Sequence, residues 1–285
     1  MIKKIAILLI FTTLLWGCSE ASKSDSKKTI YVTITPLRAI VEEITGGDYT
    51  VETLVPKGAS PETFEPTAKQ LMALNNAEQI FSTGLINFEM SLIKSIDNSE
   101  RIINLSEGIT PLAGSCSHCG HHHKHGIDPH IWTSPKAIKR MVENISSAMQ
   151  RVAPDSVKYV ENADKLIHKL NSLDSLCSSK IKANNVDAIM IYHPAFTYYA
   201  NDYGIEQIAV EQDGKEPSPR QLTALVDKAR EHNIRRILIQ PQYSRDKLRA
   251  LADECNADIV EVDPLSEDII AEIERVTNII CSSNE

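Results

Sequence analysis

Between Asp155 and Lys182 the chain carries neither glycine nor proline, and Val160, Ala163, Leu166, Leu170, Leu173 and Ile181 recur at helical spacing. Such a stretch reads as one uninterrupted helix. At about 1.5 Å per residue it reaches roughly 40 Å, the span of a whole domain rather than of a hinge loop. A coiled-coil seam for dimerisation is one use of such a stripe. Packing against two lobes of the same chain is the other, and the flanking sequence favours it.

On both sides of this stretch, strand and helix patterns alternate. The first half reads as strand Thr29–Thr35 stopped by Pro36, helix Leu37–Thr45, strand Tyr49–Val55 and helix Ala68–Asn75. Strand Gln79–Ser82, helix Glu89–Ile96 and strand Arg101–Leu105 follow. The second half repeats the scheme with strands Asp187–Tyr192, Glu206–Val210, Arg235–Gln240 and Asp258–Val262. Its clearest helix is Pro219–His232, where Ser218 is a natural N-cap and proline occupies the first helical position. Strands separated by helices imply parallel sheets covered on both faces. The expected fold is therefore α/β, with two lobes, each a four-stranded parallel sheet with flanking helices, bridged by one long helix. The expected division is 1–17 leader, 18–28 tether, 29–154 N-terminal lobe, 155–182 linking helix and 183–285 C-terminal lobe, each lobe large enough for its own core.

The amino terminus sets an expectation about compartment. Lys3 and Lys4 precede the apolar run Ile5–Trp16, which is too short to span a bilayer but has the length of a signal-peptide core. It ends at Leu15-Trp16-Gly17-Cys18, which resembles a bacterial lipobox, with cleavage before Cys18 and lipidation of its thiol. An ordinary cleaved signal is the plainer alternative. In Ser19–Lys28 the only apolar residue is Ala21, so the stretch reads as a tether. Loss of residues 1–17 removes two lysines and moves the formal charge from −8 to −10. That balance speaks against nucleic acid as a partner. The mature chain is expected to be extracytoplasmic, periplasmic or at the cell surface, and held to a membrane by its anchor. Of the six cysteines, Cys255 and Cys281 form a candidate disulfide in an oxidising compartment, with free buried thiols as the other reading.

In an open parallel sheet, ligands gather beyond the carboxyl ends of the strands. After the second strand comes Gly58-Ala59-Ser60-Pro61-Glu62-Thr63-Phe64-Glu65-Pro66, and after the fourth a loop leads to Asp128-Pro129-His130-Ile131-Trp132. The fifth runs into His193-Pro194-Ala195-Phe196, and the eighth ends at Asp263-Pro264-Leu265. Each segment pairs a candidate metal ligand with a proline that stiffens the backbone. Two segments come from each lobe, so Glu62, His130, His193 and Asp263 are expected to meet in the interlobe cleft. One such residue at a strand end is usually structural; four at corresponding places point to a metal site. Imidazole and carboxylate suit zinc and its first-row neighbours, and four donors close a tetrahedral shell. A catalytic centre needs an open position and a positioned base. A closed shell points to binding without catalysis.

With these segments in view, the chain resembles the zinc- and manganese-binding lipoproteins of bacterial ABC importers, a family that includes proteins first described as adhesins. The resemblance runs from about Thr29 to Ile280 and rests on SPETFEPT, DPHIW, YHPAFTYYANDYGI, EPSPRQL and VDPLS, in the family's order. It implies two lobes bridged by one stiff helix, a monomeric receptor, a permease in the membrane as partner, and zinc as transported ligand with manganese as competitor. His130, His193 and Asp263 fall on the family's ligand positions. Glu62 does too, but the family normally has histidine there. Two carboxylates make the shell harder and help manganese or iron relative to zinc.

The segment before DPHIW pulls the other way. Cys116, His118, Cys119, His121, His122, His123 and His125 crowd soft and borderline donors into ten residues, a composition that reads as metal-collecting. The resemblance implies the same, since zinc-importing members carry a histidine-rich loop at this place. Oxidation of the two cysteines would remove them as thiolate ligands. Phe64, Trp132, Phe196, Tyr198 and Tyr199 are expected to wall the cleft, with ordinary core as the other reading for the two tyrosines. Three rival functions remain open at this point: a secreted zinc hydrolase using a base such as Glu65, a surface adhesin whose metal supports the fold, and a metal chaperone centred on the His/Cys loop.

Overall fold

A computed structural model describes residues 27–96, 99–114, 126–211 and 214–282. Cys18 and the seven donors from Cys116 to His125 lie outside the described residues. The first half contains β1 (Thr29–Val32), α1 (Thr35–Thr45), β2 (Thr50–Thr53), α2 (Ala68–Leu74), β3 (Gln79–Ser82), α3 (Asn87–Ser95) and β4 (Ile102–Asn104). Helices α4 (Pro135–Val152) and α5 (Val157–Ala183) then lead to β5 (Ala188–Ile191), α6 (Thr197–Tyr203), β6 (Glu206–Ala209) and α7 (Pro219–Glu231). The chain closes with β7 (Arg236–Ile239), α8 (Arg249–Cys255), β8 (Asp258–Glu261) and α9 (Ile269–Cys281). No helix among the described residues is long and apolar enough to cross a membrane.

The strands form two four-stranded sheets, ordered β2-β1-β3-β4 and β6-β5-β7-β8, with every neighbouring pair parallel. Each half therefore repeats one topology, and the order reverses between β1 and β3 and again between β5 and β7. Strand β1 ends at Val32, short of the expected Thr35, because Thr35 and Pro36 open α1. Proline is tolerated in a first helical turn, where its missing N–H has no partner to lose. Helix α4 has no counterpart in the sequence reading. Yet Ser134 and Pro135 carry the same cap-and-proline signature as Ser218 and Pro219.

Helix α5 buries Tyr159, Ala163, Leu166, Leu170, Leu173, Cys177 and Ile181. It packs on α1 and α4 on one side and on α9 on the other, so its stripe is used within the chain. Tyr159 replaces Val160 at the head of the stripe, its hydroxyl donating to Asp48 at 2.9 Å. One continuous apolar cluster runs from Ile30, Val32 and Phe81 in the first sheet through α5 to Ile189, Ile191 and Leu238 in the second. A separate cluster holds Met190, Ile237 and Ile239 against Leu225 and Leu251. Alternate residues of one strand face opposite sides of its sheet, so the two clusters lie on opposite faces of the second sheet.

That placement corrects the expected disulfide. Cys255 closes α8 in the outer cluster and Cys281 closes α9 in the continuous one, and both are free buried thiols.

Candidate metal centre

His193 stands two residues beyond β5, at the reversal of strand order where parallel sheets collect ligands. Its backbone is clamped by Gln240, the first residue after β7. The Gln240 amide donates to the His193 carbonyl at 2.6 Å and its Oε1 accepts the His193 N–H at 3.3 Å. His130 is held as firmly. Asp128 Oδ1 accepts the His130 backbone N–H at 2.8 Å and lies 2.9 Å from its Nδ1, while Oδ2 accepts the Thr197 hydroxyl at 2.6 Å. Tyr198 donates to the Asp128 carbonyl at 3.0 Å, and Trp132 donates across the cleft to the Pro264 carbonyl at 2.8 Å. Glu62 lies in a turn after β2, whose neighbour Phe64 packs edge-on against Phe88 with ring centres 5.2 Å apart.

These supports bring three donors together. Nε2 of His130 and Nε2 of His193 are 3.4 Å apart, and Glu62 Oε1 lies 3.1 Å from the latter and 4.0 Å from the former. Bonds of about 2.0–2.1 Å at the tetrahedral angle separate two zinc donors by about 3.3 Å, so the two imidazoles already span one edge of such a shell. Among the described residues no other trio of His, Cys, Asp or Glu gathers its donor atoms within 4.8 Å. The surrounding cavity, walled by Trp132, Tyr243 and Pro264, has a volume of about 40 Å³. One water centre needs roughly 10–15 Å³, so the space suits an ion with a water or two.

Asp263 is not part of this trio. Its Oδ1 accepts the Leu265 N–H at 2.9 Å, its own N–H donates to Glu272 at 2.7 Å, and it lines the adjoining hollow beside Lys57 and Glu267. Its neighbours Pro264 and Leu265 do line the ion-sized cavity. Glu65 is exposed and also stands apart from the trio.

The charges of the site are interlocked. Burial alone would lower the His193 pKa, but its bonds to Glu211 and Glu62, and their charges, push it up to about 9. Burial would raise Glu62, yet the hydrogen bond and charge of His193, with the charge of His130, hold it below the ordinary carboxylate value. Asp128 is held low against its own burial by the charge and hydrogen bonds of His130. Asp263 is pushed up, chiefly by burial and then by the nearby Glu272 and Glu261.

Three contributors escaped the sequence reading. Glu211, Gln240 and Tyr243 all attend His193, and the Tyr243 ring lies stacked at 6.0 Å. The strand-end rule that selects Asp263 also reaches Gln240, directly after β7, and Glu211, two residues beyond β6. Tyr243 carries no such signal.

Two parallel-sheet lobes joined by a stiff helix, with imidazole and carboxylate donors meeting in the cleft, define a two-lobed cleft protein with a preformed metal-type donor cluster. The chain belongs to the ZnuA family, described as zinc-uptake complex component A, periplasmic, which matches residues 30–274. It is similar to the zinc-binding lipoprotein AdcA of Streptococcus pneumoniae R6, at 27% identity over 92% of this chain and 55% of that protein. The chain thus spans about half the length of this streptococcal relative. The high-affinity zinc uptake system protein ZnuA of Bacillus subtilis is 30% identical over 84% of this chain and 78% of its own length. A crystal structure of ZnuA superposes with a TM-score of 0.81 at 31% identity, covering 90% of this chain and 99% of that one.

Proposed function

We propose that the chain is an extracytoplasmic solute-binding receptor that captures zinc in the interlobe cleft and delivers it to the permease of an ABC importer. The observation that carries this reading is the convergence of Glu62, His130 and His193 inside an ion-sized cavity, with the two imidazoles already spaced as a tetrahedral edge. Asp263 is proposed as the fourth ligand, supplied by the loop after β8, whose Pro264 and Leu265 line the cavity. The zinc-uptake relatives support zinc as cargo, and manganese is the competitor that the two carboxylates admit. The receptor is proposed to act as a monomer tethered through a lipid on Cys18, with the Cys116–His125 segment as a secondary collector. Glu65, the base that a hydrolase reading would use, is exposed and is not among the residues that line the cavity.

The test is elemental analysis of protein purified without tags or added metal, then competition between zinc and manganese. One tightly held zinc per chain, with no hydrolytic turnover, is the expected result. Asp263→Ala should weaken that zinc. A chain that takes up neither ion would overturn the reading.

A further inference from the structure

The two imidazoles of the cleft are backed differently. Behind His130, Asp128 uses both oxygens, one toward the histidine and one toward Thr197. Behind His193, Glu211 places Oε1 2.6 Å from Nδ1, while its Oε2 is buried with no hydrogen-bond partner among the described residues. Glu211 is only 5% exposed. An unsatisfied buried carboxylate oxygen is costly, and a fold keeps one where something else depends on it. The carboxylate is aimed by its own backbone, since Glu211 N–H donates to the Tyr192 carbonyl at the end of β5 at 3.0 Å. No requirement of the sheet calls for an acid here.

The consequence falls on His193. With Nδ1–H given to Glu211, the free lone pair of the neutral ring sits on Nε2, which faces Glu62 and His130. A carboxylate on the far nitrogen fixes the tautomer and makes the near nitrogen a stronger donor. Stronger nitrogen donation favours zinc over manganese, whereas the carboxylate of Glu62 acts the other way. We infer that Glu211 is a positioning residue that orients and strengthens His193 and so keeps a carboxylate-rich site selective for zinc. This rests on the cleft being a metal site, as proposed above.

The experiment compares wild type with Glu211→Gln and Glu211→Ala in the full mature chain. Zinc and manganese affinities are read by chelator competition, and the His193 tautomer by nitrogen NMR of the metal-free protein at a pH above the His193 pKa of about 9, where the ring is neutral. Glu211→Gln is nearly isosteric and retains an acceptor for Nδ1–H, so the fold and the tautomer should persist. Its zinc affinity should fall about tenfold while manganese changes less than about threefold, in line with the loss of an outer partner of a ligand. Glu211→Ala should lose more zinc affinity and the single tautomer as well. A purely structural role would lower thermal stability and leave the zinc-to-manganese ratio unmoved, which would overturn the inference. So would variants that bind both ions as wild type does. A wild type that binds neither ion would instead sink the reading of the cleft and take this inference with it.

Discussion

Nε2 of His130 and Nε2 of His193 stand 3.4 Å apart in the cleft, although the two residues are 63 positions apart in the chain. Neither imidazole needs to travel to share an ion, since each is already locked by its own carboxylate and backbone clamp. His193→Ala removes one of only two nitrogen donors and leaves His130 as the single imidazole beside carboxylates. Zinc affinity should fall by more than the roughly 10–100-fold that losing an outer partner costs. Chelator competition with a circular dichroism control measures it; unchanged tight binding would dissolve the assignment.

The raised pKa of His193 predicts opposite pH trends for the free and loaded protein. Burial opposes protonation, but Glu211 and Glu62 outweigh it and lift the folded value from 6.5 to about 9. A raised folded value means that this group's stabilisation of the metal-free protein is fully present below about pH 6.5 and is lost toward pH 9. Zinc needs the same Nε2 without its proton, so affinity should rise over that window and binding at pH 7 should release a proton. Thermal melts of the metal-free protein, and calorimetry in buffers of different ionisation enthalpy, read the two trends. A flat melting profile together with no proton release would refute the coupling.

The fold was legible because its signals are periodic and local. The stripe from Ala163 to Ile181, the cap-and-proline start at Ser218, and the short apolar strands each announce themselves over a few residues. The trio was legible because strand ends of parallel sheets project into one cleft, which places Glu62, His130 and His193 without knowledge of side-chain contacts. What escaped depends on tertiary contact. Gln240 and Tyr243 matter only because β7 lies beside β5, and Glu211 only because β6 does. The Cys255–Cys281 pairing failed for a related reason, since no local pattern tells which face of a sheet a helix will cover.

Glu62→His should tighten zinc and weaken manganese. The residue is the trio's only carboxylate, and its Oε1 is already 3.1 Å from His193 Nε2. Replacing it adds a third imidazole and lowers the negative charge of the site, a donor set that suits zinc better. Histidine is shorter along this direction, so the gain depends on the turn around Ser60–Thr63 yielding slightly. Competition titrations of both ions against wild type decide it. Weaker zinc with unaltered manganese would mean that Glu62 does not ligate in the way proposed.

Replacing Ser115–His125 by a two-residue Asn-Gly turn should leave the tight site intact and abolish additional, weaker zinc uptake. The junction permits the change. Gly114 N–H donates to the Gly126 carbonyl at 2.8 Å, Ala113 and Ile127 form an antiparallel bridge, and Asp128 N–H donates to the Leu112 carbonyl at 2.9 Å. The two ends are thus already in hairpin register, the geometry that an Asn-Gly turn closes. His130 is held by Asp128, and Asp128 by Thr197 and Tyr198, so none of the described supports comes from the removed residues. The removed segment holds two cysteines and five histidines, enough donors to bind zinc beyond the first equivalent if the thiols are reduced. Calorimetry on reduced protein should therefore show more than one zinc per chain in wild type and a single tight zinc in the variant. If the tight zinc vanishes while circular dichroism shows an intact fold, the segment itself reaches the cleft. Glu62, the donor farthest from His130 in the trio, would then be the first to leave the ligand set.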